Sequence, residues 1–177
     1  MFWRDKTKKL LDKYLDEDFS CFACGNEAPS KQELADLAMR LEVQFPDEFI
    51  QHATSKWGGI YIEVKEAVWP RPKPYDVGSF WSFLYAIYVY GIGSEAPDWM
   101  NLELAANEFR MNTGHKEVPF LKIVGNANIY CFDTDSNIVR WDHETNEFEK
   151  IGNSFFAVLE DEIQNLRERK NKKKLEI

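Results

Sequence analysis

Apolar and polar positions alternate most clearly between residues 119 and 156, where turn-forming clusters cut the chain into short segments. Pro119-Phe120-Leu121-Lys122-Ile123-Val124 reads as a strand, ended by Gly125-Asn126, which tolerate the positive φ of a tight turn. Residues 128–132 form a second expected strand. The polar cluster Asp133-Thr134-Asp135-Ser136-Asn137 then turns the chain so that Ile138-Val139-Arg140-Trp141 returns antiparallel. After another turn at 142–146, Gly152-Asn153-Ser154 offers helix-starting side chains. Phe156, Leu159, Ile163 and Leu166 follow at spacings of three and four, the period of one helix face. The pattern predicts a three-stranded meander closed by a packing helix.

Upstream, residues 4–15 place Leu10, Leu11, Tyr14 and Leu15 on one side of a helix and lysines on the other. Ser30 and Glu33 make a capping box ahead of the apolar stripe Leu34, Leu37, Ala38 and Leu41. Pro46 starts a second helix that is expected to reach Trp57, where Gly58-Gly59 stops it; Ile60, Ile62 and Val64 then alternate as a half-buried strand. Trp69-Pro70-Arg71-Pro72-Lys73-Pro74-Tyr75 cannot continue a sheet, because every second residue lacks an amide hydrogen, so it reads as an exposed, stiff loop. A buried strand is expected within 80–92 and a helix over 97–109, stopped by Asn112-Thr113-Gly114. The expected architecture is α+β, a mainly antiparallel sheet with amino-terminal and carboxy-terminal helices packed against it. One domain spans 1–177, with an extension at 1–29 and a charged tail at 167–177 that continues the last helix into solvent and frays.

With 177 residues, 44% of them hydrophobic, the chain is long enough to bury a substantial core. Its net charge is -8, yet the tail is strongly basic, which leaves the body more acidic than the total. That balance disfavours nucleic acid and anionic membrane and favours solubility or a basic protein partner. No apolar core of a secretory signal opens the sequence, and the 80–92 run is shorter than the ~20 residues of a membrane helix, so a cytoplasmic protein is expected. Three cysteines do not make a disulfide framework.

Candidate chemistry is sparse. Asp133, Asp135, Asn137 and Glu144 match positions one, three, five and twelve of an EF-hand loop, but position six is the β-branched Ile138 where a sharp glycine turn is required. A plain hairpin turn is the better reading. Cys21-Phe22-Ala23-Cys24-Gly25 resembles half of a zinc knuckle in polar, turn-rich surroundings, with no second half in reach. His52, His115 and His143 are isolated from one another and from any helical ligand pattern. No phosphate loop or nucleophile elbow occurs, so neither catalytic residues nor a cofactor or metal is expected.

The order of several segments carries more information than any one of them. Phe45-Pro46-Asp47-Glu48-Phe49, Gly58-Gly59, Pro119-Phe120-Leu121, Ile129-Tyr130-Cys131-Phe132-Asp133, Val139-Arg140-Trp141-Asp142-His143 and Ser154-Phe155-Phe156-Ala157-Val158-Leu159 together resemble the SUKH superfamily of Smi/Knr-type proteins. The resemblance implies an α+β fold and a binding module: an immunity protein that occludes a cognate toxin, or a regulator or scaffold of the cell-wall type. A small hydrolase using His115 or His143 and a zinc module built on Cys21 and Cys24 are the alternatives. For a basic toxin domain, the candidate contacts are Trp69 and Tyr75 as apolar anchors and Asp133, Asp135, Asp142 and Glu144 as exposed turn carboxylates.

Overall fold

A computed structural model describes residues 5–24, 28–75 and 78–176. Arg4 of the first expected helix and Gly25 of the cysteine cluster lie outside the described residues. Seven strands form one sheet in strict chain order, each antiparallel to the next: β1 (Phe19–Ala23), β2 (Ile60–Val64), β3 (Ala86–Val89), β4 (Val118–Ile123), β5 (Ile129–Phe132), β6 (Ile138–Asp142) and β7 (Glu147–Gly152). Among the described residues five α-helices accompany it: α1 (Lys6–Tyr14), α2 (Lys31–Leu41), α3 (Asp47–Ala53), α4 (Leu102–Thr113) and α5 (Phe155–Leu175). The chain is α+β, as the pattern predicts.

The local signals explain most of these boundaries. Ser30 accepts from the Glu33 amide while the Glu33 carboxylate accepts from the Ser30 amide, closing the capping box that starts α2. Ser154 caps α5 through the Ala157 amide, and Gly114 ends α4 at φ +77°. One face of the sheet carries the main core. Phe49, Phe120, Phe132 and Phe155 are fully buried, with Phe120 stacked on Phe132 at 4.0 Å and Phe49 edge-on to Phe132 and Phe155. The α5 stripe enters this core through Phe155, with Phe156 only half-buried beside it.

Several expectations are corrected. The cysteine cluster is not a turn, since Phe19 to Ala23 pair residue by residue with β2 as a strand. A fourth strand, β7, follows β6; its side chains are nearly all exposed, so no apolar alternation marks it. The second helix stops at Ala53 instead of Trp57, and the expected 97–109 helix begins at Leu102, capped by Asn101, after a short 3-10 turn at Asp98–Met100.

The basic tail does not fray. It stays helical to Leu175, and Lys170, almost fully buried, pairs with Asp16 at 2.9 Å and Asp18 at 3.1 Å while Lys174 also reaches Asp18. These bonds tie the end of α5 to the segment between α1 and β1.

In the proline-rich segment residues 70–75 form the expected loop, and Trp69 alone is corrected. Trp69 is 4% exposed, its indole donates to the Ser82 carbonyl, and Lys173 lies over its ring, so it belongs to the core and offers no surface anchor. Its proline neighbours fix only the backbone; long-range contacts decide where the side chain goes.

Candidate partner-binding surface

Strand register carries one row of side chains across the second face of the sheet. Phe22 pairs with Tyr61, Tyr61 with Tyr88, Tyr88 with Lys122, Lys122 with Ile129, Ile129 with Trp141, and Trp141 with Phe148. Since successive strand residues alternate between faces, this row lies opposite Ile62, Ile87, Tyr130 and Phe132 of the main core. α4 covers one end of it, where Phe109 stands edge-on to Trp141 at 5.2 Å and packs on Cys131 and Val139.

The other end is open. Phe22 stacks on Tyr61 with ring centroids 5.0 Å apart, and Tyr61 lies 6.2 Å from Tyr88 in nearly the same orientation. Trp99, from the 3-10 turn, stands perpendicular to both, 5.7 Å from Tyr61 and 5.3 Å from Tyr88. Phe22 remains 47% exposed and Trp99 52%. The result is an aromatic floor with one aromatic wall, open to solvent. Partial burial holds the Tyr61 and Tyr88 hydroxyls protonated, their pKa values raised above the ordinary tyrosine value.

The segment that carries Trp99 also forms one side of a cleft of about 330 Å³, whose other side is α2; Glu33, Asp36, Arg40, Ser94, Asn101 and Glu103 line it. Arg40 and Glu103 close on each other by a bidentate pair at 2.9 and 3.0 Å, which raises the guanidinium pKa and lowers that of the carboxyl. Asp36 accepts from Gln32 at 2.8 Å, and Glu95 lines the continuation of the cleft. With Arg40 neutralised by Glu103, Glu33 and Asp36 leave the lining of this cleft acidic.

Glycine permits the strands beneath to meet. At Gly59, with φ +66°, an added Cβ would come within 2.7 Å of the Gly91 backbone and 2.9 Å of the Cys24 sulfur, so no larger residue fits. Cys24 therefore packs between strand ends, and burial raises its thiol pKa, as it does for Cys21. No group of three or more His, Cys, Asp or Glu side chains is placed to hold a metal among the described residues.

The four candidate carboxylates lie at two separate places. Asp133 and Asp135 lie in the β5–β6 turn, whereas Asp142 ends β6 and Glu144 lies in the β6–β7 turn, so the two pairs sit at opposite ends of β6. Asp133 accepts from the Asp135 and Asn137 amides, and Asp142 from the Glu144 and Thr145 amides, so both shape their own turns. Glu144 is a strand length away from the other three EF-hand positions. Tyr75, by contrast, is 95% exposed, as expected.

The histidines are held structurally. His52 is buried against Thr7, His143 contacts the Asn128 side chain at 2.8 Å, and His115 lies 3.0 Å from Asn146 and edge-on to Phe148.

The family model described as SMI1 / KNR4 family (SUKH-1) matches residues 28–161. The chain belongs to the SMI1 / KNR4 family. Among curated proteins none matches it. The matched SUKH-1 region runs from just before α2 into α5, so α1 and β1 precede it, yet β1 completes the sheet and supplies Phe22 to the open end of the aromatic row. Sequence reasoning missed Phe22, Tyr61, Tyr88 and Trp99 as a group because strand register brings the first three together and the 3-10 turn adds Trp99. The alternation of Tyr61 with Ile60 and Ile62 was the one local sign. No helix among the described residues is long and apolar enough to cross a membrane.

Proposed function

We propose that this SUKH-1 chain is a non-enzymatic binding module, an immunity-type protein of the cytoplasm that neutralises a basic toxin domain by covering its working surface. The observation that carries the reading is the open end of the row, where Phe22 and Trp99 stand exposed against half-buried Tyr61 and buried Tyr88, beside an acidic cleft. Exposed rings next to carboxylates suit arginine and lysine side chains, which can stack on the rings while their charge meets the acids. The histidines support the non-catalytic part: His52 is sealed in the core, and His115 and His143 each hold an asparagine at a turn.

The test is co-expression with toxin domains encoded beside this gene. Growth is expected to be rescued, a complex to be purified, and association to slow with added salt far more than dissociation quickens. Phe22→Ala with Trp99→Ala should raise the off-rate while leaving circular dichroism unchanged. Failure to bind or protect against every neighbouring toxin, or a turnover activity lost in His115→Ala or His143→Ala, would overturn the reading.

A further inference from the structure

The two margins of the sheet are not alike. β7 carries Glu147, Glu149 and Lys150, and its pairing with β6 shifts register near Val139, features that discourage a further strand from adding. β1 has no charged residue and no proline, and among the described residues it pairs with β2 on one side only.

Its free backbone groups can be assigned. The Cys24 amide donates to the Gly59 carbonyl at 2.9 Å and the Lys65 amide to the Asp18 carbonyl at 2.8 Å. In an antiparallel ladder, successive residues turn alternately toward and away from the neighbouring strand. Ser20 and Phe22 therefore bond to β2 as Asp18 and Cys24 do, while Cys21 and Ala23 direct their N–H and C=O groups outward. The Phe19 carbonyl also points outward, its N–H being taken by Asp16 at 3.2 Å. Cys21 pairs with Ile62, which is buried on the helix-covered face, yet Cys21 is itself exposed, so among the described residues α5 covers this margin at Phe19, where Lys170 lies over the ring, and leaves it open at Cys21.

We infer that β1 pairs with β1 of a second copy of this chain, antiparallel about a twofold axis through Cys21. This pairing stands on the free edge of β1 and does not rest on what the aromatic surface binds, though it borders that surface at Phe22. In that register the two Cys21 residues exchange both backbone hydrogen bonds, and each Ala23 N–H meets the Phe19 carbonyl of the other copy. The uncharged sequence Phe19-Ser20-Cys21-Phe22-Ala23 puts no like charges across the axis. The acids just before it, Asp16 and Asp18, are already paired with Lys170 and Lys174, so the twofold does not face them bare against the other copy. Each half-exposed Phe22 lands beside Ser20 of the other copy and diagonal to its Phe22, so the aromatic row runs on from one sheet into the next. Each copy carries a net charge of -8, so the association strengthens as salt screens their repulsion.

Sedimentation velocity on the full chain, across the micromolar range at low and high salt, tests this. Twice the chain mass is expected at high concentration and high salt. Cys21→Lys sets two cations against each other on the axis, and Ala23→Pro removes an outward N–H that β2 does not use; both are expected to weaken the dimer tenfold or more with melting temperature nearly unchanged. Oxidative cross-linking is expected to join the copies through Cys21, and Cys21→Ser to lose the cross-link but keep the dimer mass. A monomer at every concentration and salt, or a dimer that survives in both folded variants, overturns the inference.

Discussion

His52 makes the fold sensitive to acid in a way that can be measured. Its ring is buried, Nδ1 lies 2.9 Å from the Thr7 hydroxyl, Nε2 has no hydrogen-bond partner, and the Phe155 ring is 5.0 Å away. Nothing around it solvates a cation, and burial pushes its pKa from 6.5 down to about 3. The unfolded chain therefore binds a proton at this residue where the folded chain does not. Its stabilising contribution is complete above the unfolded value of 6.5 and is lost as the pH falls toward 3. The slope approaches ~1.4 kcal/mol per pH unit, so acidifying from about pH 6.5 to about pH 5 should remove roughly 2 kcal/mol. The carboxyls of Asp16, Asp18, Glu103 and Glu160, whose pKa values are lowered by cationic partners, lose their contributions at still lower pH and do not confuse this window. Urea denaturation at several pH values should show the wild-type midpoint falling across this range and a flat response in Thr7→Val/His52→Leu, which removes the pair together. Equal pH dependence in both proteins would refute the reasoning.

Lys170→Ala should destabilise the protein by about 3 kcal/mol, since Asp16 and Asp18 lose a buried counter-ion, and removing the residues after Arg167 should cost at least as much; denaturant titration reads both. Trp69→Ala should cost about 3–5 kcal/mol by leaving a cavity, whereas Tyr75→Ala should stay within about 0.5 kcal/mol in the same assay.

What could be read from the sequence was what local chemistry decides. The Ser30 box, the Ile60, Ile62 and Val64 alternation, the strands around 118–142 and the α5 stripe each obey a short-range rule, and each appears in the structure. β1 was obscured because its residues, flanked by acids on one side and Cys24 on the other, show no clean alternation; only pairing with β2 makes them a strand. β7 is hidden for the opposite reason, being an exposed edge with little to bury. Charge counting described the tail as a solvated run, yet its lysines find Asp16 and Asp18 more than 150 positions away in sequence, and no local pattern encodes that meeting. The family resemblance was legible because it rests on the order of segments along the chain, and order survives where single segments are ambiguous.

The same contrast separates Trp69 and the turn carboxylates from the aromatic row. Trp69 looked available because prolines surround it, and the turn carboxylates looked clustered because they are close in sequence; burial and strand length decide otherwise in each case. The aromatic row depends on strands up to more than 100 residues apart, held in register by a core on the opposite face. Changes at Ile62 or Phe132 act on that core and hence on the fold. Changes at Phe22 or Trp99 act on an open surface whose backbone is fixed from behind. Side chains at the open end of the row can therefore be changed while the sheet that presents them stays the same, which is what makes Phe22 and Trp99 the positions at which a proposed contact can be tested without unfolding the protein.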